Sequence, residues 1–158
     1  MLVVNDIKVL ISAYRLIERN CDLINEFVYK HAINFGPSPE YCSTYDVTNK
    51  IINLIERKNR LINLKLIIDE LVSQLNPNDK AIILAKMRFD LSIKSMSQVL
   101  QMPSMRTTFR RIQTALEHLT IHANNSPYRE KLEYLLDNEH WISSMRREVL
   151  QNKCVQAR

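Results

Sequence analysis

A chain of 158 residues, 46% hydrophobic and 25% charged, has globular composition and room for one domain, or for a helical arm plus a small domain. One Gly and five Pro are too few for a fold made of tight β-turns, and 7% aromatics argue against a platform for stacking single-stranded bases. The net charge of +5 is modest in size but uneven in position.

Cys21, Cys42 and Cys154 are odd in number and widely spaced, which argues against a disulfide framework and against a zinc finger; free thiols are expected. Asn5, Asp6 and Lys8 interrupt the N-terminal apolar residues, so no secretory h-region is expected. No apolar run approaches the ~20 residues that cross a bilayer. A soluble cytoplasmic protein without membrane contact is the expectation.

Val4–Ile33 is predicted as one long helix, because Ile7, Tyr14, Cys21 and Val28 step by seven and Leu10, Ile17, Ile24 and His31 form the companion series. Phe35–Asp46 reads as a linker centred on Gly36-Pro37-Ser38-Pro39, where proline removes an amide donor and disfavours helix in the residue before it. Val47–Leu75 is the second long helix. Val47, Leu54, Leu61, Ile68 and Leu75 step by seven, Ile51, Ile55, Ile62 and Val72 widen the stripe, and Lys58 and Lys65 intrude on it. The pattern fits a hairpin within one chain and a coiled coil between two copies equally well. Met1–Leu75 is therefore also a candidate homodimer interface.

Asn76 suits an N-cap and Pro77 the first helical position, so a third helix is expected over Pro77–Phe89. Two more follow, roughly Ser92–Gln101 and Ser104–His122, each opened by a serine cap. Ser126-Pro127 starts a tail that packs through Leu132, Leu135 and Leu136 and, after a break at Asp137-Asn138, through Trp141, Ile142, Met145 and Val149. The expected architecture is all-α: a helical arm (1–75), a helix-turn-helix (76–122) and a C-terminal helical extension (123–158). The pattern does not decide whether Ile121–Arg158 docks on this domain or on another protein.

Between Lys80 and Leu119 stand seven basic side chains (Lys80, Lys86, Arg88, Lys94, Arg106, Arg110 and Arg111) against Asp90 and Glu117, a surplus equal to the +5 of the whole chain. Such concentration favours a surface for a polyanion. In the fifth helix Met105, Phe109, Ile112, Leu116 and Leu119 are the expected apolar seam. At about 100° per residue, Thr107, Arg110, Arg111, Thr114 and His118 lie opposite it, with Arg106 on the flank. Ser97 offers the small side chain that a steep helix crossing needs, and Met102 plugs the turn. This is what a recognition helix requires: one side buried, the other carrying Arg and Thr that reach base edges in the major groove. Thr107, Arg110, Arg111 and Thr114 are the candidates for base contact, and Arg88, Lys94, Arg106 and Gln113 for the backbone. The plain alternative is a solvated amphipathic helix with ordinary surface charge.

Several stretches resemble the DNA-binding region 4 of sigma-70-type factors, in the version found in RinA/ArpU-type phage transcriptional regulators. They are Gly36-Pro37-Ser38-Pro39, Val47–Leu75, Ala81-Ile82-Ile83-Leu84 with Arg88-Phe89, Met96-Ser97 with Leu100 and Met102, and Arg106-Thr107-Thr108-Phe109-Arg110-Arg111-Ile112 with Ala115-Leu116. The likeness covers about Phe35–Leu119. Gln101 stands in the turn where that family usually has glycine. The resemblance implies a sequence-specific regulator that binds double-stranded DNA and contacts RNA polymerase.

No enzyme is expected. The chain has no glycine-rich phosphate loop, no Ser-His-Asp or Cys-His arrangement stands out, and His118 with His122 lacks the companions of a metal site. No cofactor or metal is called for. Two other readings stay in view: a DNA-packaging protein resembling a phage terminase small subunit, and a helical adaptor that binds proteins through its arm.

Overall fold

The computed structural model describes residues 1–33 and 44–156, and among these there are seven helices and no strand. The fold is all-α. The helices are α1 (Val4–Ile33), α2 (Thr44–Ser73), α3 (Pro77–Phe89), α4 (Ile93–Val99), α5 (Met105–Asn125), α6 (Arg129–Asn138) and α7 (His140–Gln156). The proline-containing linker centred on Gly36-Pro37-Ser38-Pro39 lies outside the described residues. No helix among the described residues is long and apolar enough to cross a membrane.

Two compact units share the chain: Met1–Arg15 with Ile67–Arg158, and Leu16–Leu66. These boundaries differ from the three segments suggested by sequence, since both long helices contribute to both units. In the Leu16–Leu66 unit, the Lys58 ammonium donates to Asn25 Oδ1 over 2.7 Å, and Lys65 pairs with Glu18. A step of seven forward on α1 matches seven backward on α2, which makes the pair an antiparallel hairpin within one chain. Ile17, Cys21, Ile24, Leu61 and Leu64 are buried there. The two lysines fit a largely apolar stripe because their long stems lie along it while the ammonium groups reach the polar rim. Ile55 and Ile62, expected to widen the buried stripe, are exposed instead.

The larger unit has α5 at its centre, packed against α3, α4 and α6, with α6 packed in turn on α7. Ile7, Leu10 and Ile11 of α1 meet Ile68 and Leu71 of α2 and Leu119 of α5 around a small apolar cleft. Asn76 caps α3 through Asp79 N–H over 2.9 Å, and the Asn76 amide also donates to Asp79 Oδ2 over 2.6 Å. Pro77 then occupies a helical position whose N–H would have no partner. Ser92 and Ser104 cap α4 and α5 in the same way, each accepting from a backbone N–H three residues on, over 3.1 Å.

The C-terminal helices contribute to this core: Ala123, Leu132, Leu135, Leu136 and Ile142 are buried. The first residues of the chain close over them. The Leu2 N–H donates to Asn124 Oδ1 (3.0 Å) and the Asn124 amide returns a bond to Leu2 O (2.9 Å). Asp6, almost wholly buried, accepts from Arg146 Nε over 2.8 Å and from Val3 N–H over 3.0 Å. Arg146 also reaches Asp137 over 2.5 Å. A buried carboxylate is tolerated only when its charge is matched. Arg146→Ala is therefore expected to cost about 3 kcal/mol in denaturant unfolding, and Asp6→Asn in the same background to recover part of it, because an uncharged amide is less costly to leave unmatched.

Candidate nucleic-acid interface

The candidate surface is built from the turn between α4 and α5 upward. Met102 N–H donates to Ser97 O over 2.8 Å, and the Ser97 hydroxyl lies 3.4 Å from Met102 O. Ser97 thus fastens the turn as well as being small. Met96, its neighbour, is fully buried. The chain reverses through Gln101, which has φ 49°, in the left-handed region where a Cβ is unfavourable. Glycine would take this conformation without strain.

Beyond the turn, Ser104 holds both Thr107, through its N–H and a 3.0 Å hydroxyl contact, and Thr108, whose hydroxyl donates to Ser104 O over 3.0 Å. Thr108 can therefore be buried with its polar atom satisfied. It heads the inner row of α5, which continues through Ala115, Leu116, Leu119, Thr120 and Ala123. This corrects the expected seam. Ile112 is half-buried and Leu116 and Leu119 are buried, but Met105 and Phe109 are 58% and 56% exposed. Thr108 sits inward with its hydroxyl bonded within its own helix, while Met105 and Phe109, on the same face in the first turns of α5, are exposed.

On the outer side, Thr107, Arg110, Arg111 and Thr114 line one open depression. All four residues proposed for base contact thus lie side by side on one open face of α5. Arg110, Arg111 and Thr114 are exposed, and Thr107 is half-buried by its bond to the cap. Arg88, Lys94 and Arg106 are exposed as well. Among the described residues none of the arginines 88, 106, 110 and 111, nor Lys94, takes part in an ion pair. Gln113 is half-buried and donates to Glu117 over 3.2 Å, so its amide is engaged along its own helix.

His118, exposed on the same face, has a partner that the sequence did not suggest. Its Nδ1 is 2.6 Å from Oδ2 of Asp79, a buried residue in the first turn of α3, so the ring ties α5 to the cap of α3. The Asn76–Asp79 capping pair was readable from its spacing. The histidine that joins it comes from 39 residues away and has no local signal.

At the start of the α3–α4 junction Asp90 also has a left-handed backbone, with φ 47°, and its N–H bonds to Lys86 O. The Lys86 ammonium, 2.9 Å away, and the Arg15 guanidinium hold its carboxyl below the ordinary aspartate range. One basic side chain of the surplus segment is thus matched locally, while the arginines of α5 are not. Cys21, in the smaller unit, is buried, and burial pushes its thiol up, which makes it a poor nucleophile. Among the described residues no group of three His, Cys, Asp or Glu side chains could hold a metal ion. Comparison with family models, with curated proteins and with solved structures finds no match for this chain.

Two outcomes test this geometry. Gln101→Gly should raise stability by about 0.5–1 kcal/mol in thermal or denaturant unfolding, whereas Gln101→Ala should not, since alanine keeps the Cβ. Asp90→Asn keeps a residue tolerant of the left-handed backbone but removes the charge. Because folding lowers the Asp90 pKa, its stabilisation is present above the ordinary aspartate pKa and lost as pH falls through the folded value. The stability gap between the native chain and the variant, measured by urea unfolding, should therefore be widest near neutrality and close in acid; the exposure of the pair keeps it small.

Proposed function

We propose that this chain is a sequence-specific double-stranded DNA-binding regulator of transcription, acting in the cytoplasm. In this reading α4, the turn through Gln101 and α5 serve as a helix-turn-helix, and α5 is the recognition helix. The observation that carries it is the depression lined by Thr107, Arg110, Arg111 and Thr114, with two exposed arginines that, among the described residues, take part in no ion pair, on the side of α5 opposite its buried row. Arginines left unmatched side by side on an open helix face favour an anionic partner. Their planar, forked donors suit guanine edges, and a bidentate contact is worth roughly 1–3 kcal/mol of discrimination. Arg88, Lys94, Arg106 and Gln113 flank that surface as backbone contacts, which set position rather than sequence. RNA polymerase belongs to the same reading as a partner, through the sequence resemblance to sigma region 4.

A packaging protein would also bind DNA, and a protein adaptor would not. Gel-shift across a salt series separates the second from the first: affinity that falls steeply with salt marks phosphate contact, and an adaptor shows neither binding nor slope. Selection of bound fragments from a random DNA pool then separates a regulator, which enriches a defined sequence, from a packaging protein with weak preference. Arg110→Ala with Arg111→Ala should reduce affinity for the selected site by at least about 100-fold and leave circular dichroism unchanged. Arg106→Ala and Lys94→Ala should each weaken all sequences alike and lower the salt slope by about one. A double variant that loses helicity, or that binds the selected site normally, would remove the proposed base contacts.

A further inference from the structure

The four side chains on the open face of α5 do not offer the same chemistry to a duplex. Thr107 is half-buried, and its hydroxyl lies 3.0 Å from Ser104 Oγ, which also accepts from the Thr107 N–H over 3.1 Å. The part of this side chain that the cap does not engage is its methyl group. One turn on, Arg110 and Arg111 are exposed, and each carries a planar fork that matches the O6 and N7 acceptors of a guanine edge. The row also has an end. Beyond Thr114 the next side chains on that side are Glu117 and His118. Glu117 accepts from the Gln113 amide over 3.2 Å and would meet phosphate as a like charge, while His118 is tied to Asp79 at 2.6 Å. The stretch free to read bases therefore runs from Thr107 to Thr114, and that length of helix spans about 10 Å, the rise of about three base-pair steps.

We infer that this face selects a duplex in which thymine lies beside guanine: the Thr107 methyl packs on the thymine 5-methyl group, and Arg110 and Arg111 hydrogen-bond guanine edges. This rests on the DNA-binding reading above and adds to it the kind of sequence bound. Thymine alone presents a methyl group in the major groove, so an apolar contact there has one base to prefer. A threonine with an unengaged hydroxyl could bond several base edges and would discriminate little between them. The bond to Ser104 turns Thr107 from a general polar contact into an apolar one. It also holds the side chain in one of the two χ1 rotamers that threonine commonly takes in a helix, so the methyl is presented in a fixed direction. The cap of α5 thus serves recognition as well as the helix start.

The probe is the duplex that the full chain enriches from a randomised pool at low salt, and its core should place thymine next to guanine. Uracil in place of that thymine removes only the methyl group and should weaken binding about fourfold. Substituting 7-deazaguanine, which lacks the N7 acceptor, should weaken it at least about fivefold. Thr107→Ser keeps the hydroxyl beside Ser104 and loses the methyl. It should bind the thymine and uracil duplexes equally, at the native chain's affinity for uracil. Thr107→Val keeps a methyl and should still prefer thymine. A merely structural Thr107 would instead lower affinity for both duplexes and leave their ratio unchanged, which overturns the inference. If either variant loses helicity, the base substitutions alone decide. Duplex retained without an enriched core, or with a core lacking that pair, leaves DNA binding standing and overturns the inference. If no duplex is retained even at low salt, the DNA-binding reading falls and takes the inference with it.

Discussion

The larger unit depends on α5 burying a row of small side chains whose polar atoms are satisfied inside the helix itself. Thr108, Ala115, Thr120 and Ala123 lie on that row, with the Thr108 hydroxyl on Ser104 O and the Thr120 hydroxyl on Leu116 O at 2.7 Å. Small residues let neighbouring helices come close, and internal hydroxyl bonds remove the penalty of covering them. This is how α5 touches α3, α4 and α6 at once and still keeps its opposite side for charge. A bulkier inner row would push those helices outward and change the slope of the surface that carries Arg110 and Arg111.

Much of this was legible in the residues, for identifiable reasons. Capping chemistry is local: Asn76-Pro77, Ser92 and Ser104 mark three helix starts, and the observed helices begin at or beside them. The seven-residue series on α1 reads truly because its members are apolar and the long helix has one buried side; Ile7, Tyr14, Ile17, Cys21 and Ile24 are all buried. On α5 the same reasoning misplaced two residues. Hydropathy favours Met105 and Phe109 as inward positions over Thr108, but it does not register that a threonine one turn into a helix can satisfy its hydroxyl on the carbonyl four residues back. Ile55 and Ile62 were misassigned for a different reason. A helix with two apolar stripes does not say which one its own chain covers.

The candidate site divides in the same way. That Thr107, Arg110, Arg111 and Thr114 share a surface follows from helical periodicity and needs no tertiary information. Which polar groups are matched depends on long-range placement: Arg15, 75 residues before Asp90 in the chain, helps to hold that carboxylate, and Asp79 hydrogen-bonds His118 across the unit. Counting charge along the sequence located the basic segment, but only the folded arrangement separates its matched members from the unmatched arginines of α5.

The bonds between the two ends of the chain set an order of assembly. Leu2 meets a side chain 122 residues away, and Asp6 one 140 residues away, whereas the partners in the α1–α2 hairpin are 33 and 47 residues apart. Contacts between distant residues carry a greater loop-closure cost and slow the steps that need them. During synthesis the hairpin can close as soon as its second helix has left the ribosome, while Leu2 and Asp6 wait for Asn124 and Arg146 until α5 and α7 have been made. The contacts of Leu2 and Asp6 with α5 and α7 are therefore among the last of this unit to form.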